Sequence, residues 1–325
     1  MNALTRAEFE RLLEGAARVL KTAARPIAIP GEAIIGIEAV ARCCAAPGRR
    51  FLNLVTGPYG KDFGLWLRDG GASVYDLETP YDEVASPKAV AAAIRAFEPD
   101  ALSYVYAEAI TGGANPAEAI QRVAREAGVM TIIDAVSSVG ADPFRMDEWG
   151  VDVASLGLQK ALLGSNGISF AAVSGRMLEW MRLNPRAPKR SILSLPELYD
   201  AQRDETPPAL SVLEAREALR AFGAVEAMGG VDALAERHQA IAALVRREAQ
   251  AMGYALYQRN EADCTALNTT LRRPDTEAGR AFRGEGIVSP GNGALADVLL
   301  RINHYGERCT EEDAARALET LKSLL

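Results

Sequence analysis

Between Phe51 and Val173 the chain repeats one unit: a short apolar run that reads as a strand, then a stretch with helical period. The apolar runs fall over 51–55, 72–77, 102–106, 129–134, 151–156 and 167–173. Helices between them open at Ser86-Pro87 and Asn115-Pro116, where a proline in the first turn sacrifices no hydrogen bond. Strands that are apolar on both faces and alternate with helices imply an α/β fold, a mostly parallel sheet covered on both sides. In such a sheet, ligands sit beyond the carboxyl ends of the strands. Chemistry is therefore expected from the residues just after Val55, Tyr106, Ile133 and Leu156.

The flanks read differently. Thr5 and Glu8 form a capping box, and Phe9, Leu12, Leu13, Ala16, Val19 and Leu20 then share one helical face. The 26–30 stretch is too short and too Pro-flanked for another helix, and helical period returns from Ile34 to Ala41. After Leu183 the chain carries Pro185, Pro188, Pro196, Pro207 and Pro208, which predicts an extended connection lying on a surface or a partner chain. Helices are expected over 209–222 and 231–252, with short strands near 254–257, 265–271 and 298–302 and a last helix from Thr310. This grouping implies a large domain over 1–208, holding the N-terminal helix and the Pro-rich connection, and a smaller α+β domain over 209–325.

Composition removes several function classes. A net charge of −7 argues against a nucleic-acid partner, which requires a basic surface. No apolar run reaches the roughly 20 residues of a membrane span, and the first residues lack a signal-peptide pattern. The cysteines Cys43, Cys44, Cys264 and Cys309 form no CxxC motif, so reduced thiols in a cytoplasmic protein are expected. His238 and His304 are the only histidines, which makes a histidine-based metal site improbable. Neither GxGxxG nor GxxxxGK[ST] occurs, which disfavours a Rossmann dehydrogenase or a P-loop enzyme.

Asp134 closes the fourth apolar run, and Lys160 follows the fifth. A carboxylate and an amine side by side at the ligand edge suit a pyridoxal ring: the amine forms a Schiff base, and the carboxylate keeps the ring nitrogen protonated. On spacing alone, a strand-end carboxylate and a solvated lysine remain the plainer reading.

The segment DAVSSVGADPFRMDEWGVDVASLGLQKALLGSNGISFAAVS, from Asp134 to Ser174, resembles the signature region of class V, fold-type I aminotransferases of the alanine–glyoxylate and serine–pyruvate type. The resemblance implies that Asp134 holds the ring nitrogen and that Lys160 carries the ring. It also implies that Tyr59, in Thr56-Gly57-Pro58-Tyr59-Gly60, stacks on the ring, and that Arg301, in Leu300-Arg301-Ile302-Asn303-His304, grips a substrate carboxylate. Gly31, Ala33, Ala109, Val136 and Gln159 would complete the cofactor site, with Thr206 reaching a neighbouring subunit's site in a homodimer or a tetramer.

Pro30 to Ala39, followed by Gly57 to Trp66, resembles the pyridoxamine–pyruvate branch of the class. There Glu32 stands at a turn where family members use small and hydroxyl residues to bind the cofactor phosphate at a helix N-terminus. A carboxylate beside a phosphate is repulsive, so Glu32 suits an unphosphorylated pyridoxal or pyridoxamine that is a substrate. Alternatively, Glu32 is a first-turn acid facing solvent. Asn292 stands where that branch carries a second arginine, which leaves the oxo acid open. The resulting expectation is an aminotransferase moving an amino group between pyridoxamine or a small amino acid and an oxo acid. A conventional pyridoxal 5′-phosphate aminotransferase, a lyase and a catalytically silent binding protein are the alternatives.

Overall fold

A computed structural model of the chain describes residues 3–204 and 210–325. The strands are β1 Ile27–Pro30, β2 Arg50–Val55, β3 Ser73–Glu78, β4 Ala101–Val105, β5 Ala107–Glu108, β6 Gly113–Ala114, β7 Met130–Asp134, β8 Val153–Gly157, β9 Ile168–Val173, β10 Thr269–Arg272, β11 Val288–Pro290 and β12 Leu299–Ile302. Seven of them form one sheet in the order β1-β9-β8-β7-β4-β2-β3. The pairs from β8 across to β3 are parallel, as the continuous apolar runs predict. β9 runs antiparallel to β8, and β1 antiparallel to β9. The fold is the α/β architecture that the alternation of apolar runs and helices predicts.

The register places the functional edge. Asp134, the last residue of β7, pairs with Val105, the last of β4, on one side and with Ser155 on the other, beyond which β8 runs two residues further toward Gln159 and Lys160. The chain leaves β2 for β3 in one direction and then crosses to β4 on the other side of β2. Such a reversal of strand order opens a crevice at the strand ends, the usual place for a ligand in open α/β sheets.

Helices cover both faces. On one, Arg6–Leu20 and Val212–Ala227 bury Phe9, Leu12, Phe222 and Val225 in a core shared with the sheet residues Leu54, Leu156 and Phe170. On the other, Ala33–Cys44, Pro58–Asp69 and Gly175–Arg182 pack Val40, Phe63 and Met177 against Phe51, Ile132 and Ala171. Thr5 and Glu8 make the reciprocal capping box of the first helix. A second core lies between the small sheet β10-β12-β11 and the helices Val231–Ala251 and Glu311–Lys322, centred on Val245, Leu271, Leu300 and Leu321. Because Val212–Ala227 packs with the first core, we propose that the larger body extends to Gly229-Gly230, two glycines with positive φ, rather than ending at 208.

Three local expectations change. The 26–30 stretch is the edge strand β1, where the terminal Pro30 removes no needed sheet hydrogen bond. The Pro-rich connection contains a helix, Leu195–Arg203, because Pro196 sits in its first turn. That helix is tied to β1 through buried Gln202, which accepts from Ala28 N–H at 2.9 Å and donates to Ala28 O at 2.7 Å. At 254–257 there is only a bridge between Leu256 and Leu271, not a strand. Thr206, Pro207 and Pro208 lie outside the described residues. Among the described residues, no helix is long and apolar enough to cross a membrane.

Candidate active site

A cavity of about 360 Å³ opens at the carboxyl edge of the sheet. Glu32, Tyr59, Asp134, Val136, Gln159 and Lys160 all line it, and Ala33 adjoins them. They come from four places, two strand ends and two helix starts, so only the folded sheet brings them together. Asp134 ends β7, Gln159 and Lys160 follow β8, and Tyr59 lies in the first turn of Pro58–Asp69 after β2. A second cavity of about 600 Å³ shares Gln159 and Lys160 with the first and continues past Tyr305 to Arg220.

Asp134 is buried and accepts from Val136 N–H at 3.0 Å. Burial, reinforced by the negative charge of Glu32 and opposed by Lys160, pushes its carboxyl up to about 6. Removal from water penalises the ionised form, and a cation placed beside it would offset that penalty. Tyr59 is held above its ordinary range first by burial and then by Glu108, Asp134 and Glu32.

Glu32 is turned inward. It is the N-cap of Ala33–Cys44, and its side chain accepts from Ile34 N–H at 2.7 Å. Gln159 Nε2 donates to its other oxygen. The helix N-terminus that borders the cavity is therefore already occupied by a carboxylate from the chain itself. Gly31 supplies the turn into this helix with a φ of +111°, a conformation that favours glycine.

Arg301, on β12, comes from the second body. Burial lowers its proton affinity, while Tyr305 and Tyr59 act in the opposite direction. Its Nη2 donates to Asn292 Oδ1 at 3.0 Å, and among the described residues its buried Nε has no hydrogen-bond partner. A planar guanidinium with spare donors is suited to a carboxylate. Ala109 does not line the cavity; it packs with Ala141, Ala161 and Leu267 behind Lys160. Arg246, which reads in sequence as solvated charge, is instead mostly buried: it donates to Thr265 O at 3.2 Å and pairs with Glu261.

Two residues near the site escape the sequence reading. Glu108 on β5 is fully buried, accepts from Gly60 N–H at 2.9 Å and fills the space beside Gly57, so it braces the turn that carries Tyr59. Burial pushes its carboxyl up to about 8. Tyr305 presents its ring 5.4 Å from Lys160 Nζ. A charged residue between an apolar strand and Gly112-Gly113 is the available signal for Glu108; nothing in the sequence marks Tyr305.

These residues suit a pyridoxal ring: a primary amine, a buried carboxylate that a ring cation would satisfy, and an aromatic side chain share one enclosed volume. Comparison with known proteins agrees. The Aminotransferase class-V family model matches residues 66–278. The pyridoxamine–pyruvate transaminase of Mesorhizobium japonicum is 29% identical over 96% of this chain and 82% of its own length. The crystal structure of the pyridoxamine–pyruvate aminotransferase from Mesorhizobium loti superposes with a TM-score of 0.90 at 28% identity, covering 98% of this chain and 83% of that one. The alanine–glyoxylate aminotransferase of Drosophila melanogaster is 27% identical over 91% of this chain and 78% of its own. Since the likeness runs through nearly the whole chain and not through one motif, the protein belongs to the class V aminotransferase family, as a pyridoxal-dependent aminotransferase.

Proposed function

We propose that this aminotransferase exchanges an amino group between an unphosphorylated B6 amine, pyridoxamine, and a small oxo acid, with pyridoxal as the other form of the ring. The observation that carries this reading is Glu32, whose carboxylate occupies the helix N-terminus facing the cavity. Helix N-termini attract phosphate through their free N–H groups and positive dipole end. Here those groups are partly used, and a fixed negative charge stands in the way. The pyridoxamine–pyruvate relatives support the same substrate class.

When bound, the pyridoxal ring supplies an electron sink for the carbon that carries the nitrogen. Lys160 provides the amine that holds the ring and then carries a proton as general acid and base. Asp134 holds the proton on the ring nitrogen, and Tyr59 covers a ring face. Val136, Ala33 and Gln159 close the wall, and Gln159 fixes Glu32. Arg301 anchors the carboxylate of the oxo acid, with Asn292 orienting the guanidinium. Exposed Leu183 and Ile192 on the 183–194 connection supply apolar surface for a second copy, which supports a homodimer.

The conventional phosphate-cofactor reading keeps one supporting observation: Arg203, at the end of Leu195–Arg203, is exposed, and its guanidinium, which meets Asp204 only through Nε at 3.4 Å, has further donors to offer a neighbouring subunit. An absorption titration with pyridoxal and with pyridoxal phosphate, beside a Lys160→Ala control, separates the readings. A visible band with pyridoxal, lost in the control and weaker with the phosphate, is the expected result. A tight band only with the phosphate overturns the substrate assignment. A band without amine transfer to any oxo acid points to a lyase or a silent binding protein.

A further inference from the structure

The Lys160 loop touches a turn of the second body, His304-Tyr305-Gly306. Gly306 has a φ of +62°, and a Cβ placed on it would lie 2.9 Å from Lys160 O. The turn thus rests directly on the lysine's backbone, with the Tyr305 ring at Lys160 Nζ. What holds the turn there is His238, a fully buried imidazole on Val231–Ala251. Its Nδ1 lies 2.9 Å from Leu234 O. A carbonyl only accepts, so Nδ1 carries the proton and Nε2 is left as an acceptor. Gly306 N–H donates to that Nε2 at 3.3 Å.

We propose that His238 is a positioning residue for Lys160: by accepting Gly306 N–H it fixes the 304–306 turn against the Lys160 backbone and sets the Tyr305 ring over the lysine amine. The contact requires a neutral imidazole. Burial, with the positive charge of Arg237, keeps His238 below its ordinary range and overrides the opposing bond to Leu234. His304 stands behind the same turn, with Nε2 2.9 Å from Thr269 Oγ1, and Arg246 lies close to it. Among the described residues, Gly306 N–H bonds only His238, while Gly306 O accepts from Cys309 N–H at 3.2 Å within the same segment.

The inference rests on Lys160 being the reactive amine, so its test uses the protein without any pyridoxal ring. Lys160 is labelled with a small amine-reactive ester at one pH, and its rate is read by mass spectrometry relative to exposed Lys88 and Lys189 in the same digest. The Tyr305 ring set against the amine restricts the approach of a reagent, and loss of that cation–π contact corresponds to a roughly two- to fivefold effect. His238→Leu and His238→Asn, whose amide oxygen falls short of Gly306, are expected to speed Lys160 labelling by about that factor. His238→Gln, whose oxygen reaches the Nε2 position, is expected to restore the original rate. Tyr305→Ala is expected to match His238→Asn, and the double variant to add nothing further. An unchanged rate in His238→Asn, or additive effects with Tyr305→Ala, overturns the proposal. If His238→Leu does not fold, the Asn and Gln pair decides. Failure of the pyridoxal titration would remove the substrate reading and leave this result standing.

Discussion

Replacing Glu32 by serine tests the substrate assignment most directly. Glu32 presents one carboxylate at the N-terminus of Ala33–Cys44, accepting from Ile34 N–H at 2.7 Å and lining the cavity beside Lys160. A phosphate bound there would meet that charge. Two unit charges about 4 Å apart repel by about 1 kcal/mol in water and about 4 kcal/mol at an effective dielectric constant near 20. Glu32 is half-buried, so its environment lies between those limits. At about 1.4 kcal/mol per tenfold, the carboxylate disfavours a phosphate by roughly 5- to 1000-fold. Serine is itself a favoured N-cap, so the helix keeps its cap and loses only the charge. Glu32→Ser is therefore expected to shift the ratio of pyridoxal to pyridoxal phosphate dissociation constants by at least about fivefold toward the phosphate. Both constants are read from the visible band, in the same buffer at about 0.1 M salt, where screening acts equally on both variants. A ratio that stays within about threefold of the parent would show that Glu32 does not select against phosphate, and the reasoning from the helix N-terminus would fall.

Glu108 predicts a pH-dependent stability. Its folded carboxyl titrates near 8 instead of the ordinary 4.5, so its contribution is complete below the unfolded value and is lost as pH rises through about 8. Glu108→Gln keeps an acceptor for Gly60 N–H and is expected to gain on the parent by up to about 4 kcal/mol between roughly pH 4 and 9, measured by denaturant unfolding at both ends. Equal stability differences at the two pH values would refute this. Arg301→Gln removes a charge-assisted pair worth about 1.5–3 kcal/mol and is expected to raise the KM for the oxo acid by about 10- to 100-fold, with the pyridoxal dissociation constant nearly unchanged. Gly306→Ala places a Cβ 2.9 Å from Lys160 O at a positive φ and is expected to lower stability by at least about 1–2 kcal/mol, seen as an earlier unfolding midpoint.

The alternation brings Asp134, which ends one apolar run, and Lys160, which follows the next, to one edge of a parallel sheet, and the family resemblance gives that pair its chemical meaning. Tyr59 and Arg301 emerge only through the family resemblance, since an aromatic after Gly-Pro and an arginine in an apolar strand have no pattern of their own. The direction of Glu32 is not legible: an acid at a helix start caps the helix whether it faces water or a cavity, and Gln159, distant in sequence, selects the inward side. Glu108 is obscured because β5 is two residues long and shows no period. The helix Leu195–Arg203 is hidden by Pro196, which reads as a breaker but occupies the first turn. His238 reads as one residue of an ordinary helix, since its partner Gly306 is 68 positions away.

The charges at the site divide by body. The larger body lines the cavity with the carboxylates of Glu32 and Asp134, while Arg301 on β12 of the smaller body lies outside that lining, near enough to Tyr59 to act on its charge. On the proposed assignment, a protonated pyridoxamine would find complementary charge on the sheet edge, and an oxo-acid anion would find it in Arg301 on β12. A phosphorylated ring would reverse the first match and place an anion where two carboxylates already stand, unless a neighbouring subunit supplied cations. The proposed roles thus assign selectivity for the ring and selectivity for the acid to separate parts of the fold, joined where the Tyr305-Gly306 turn rests on Lys160. Substitutions at Glu32 should accordingly alter which B6 form binds while leaving the acid preference to Arg301 and Asn292, and the converse should hold for substitutions on the small sheet.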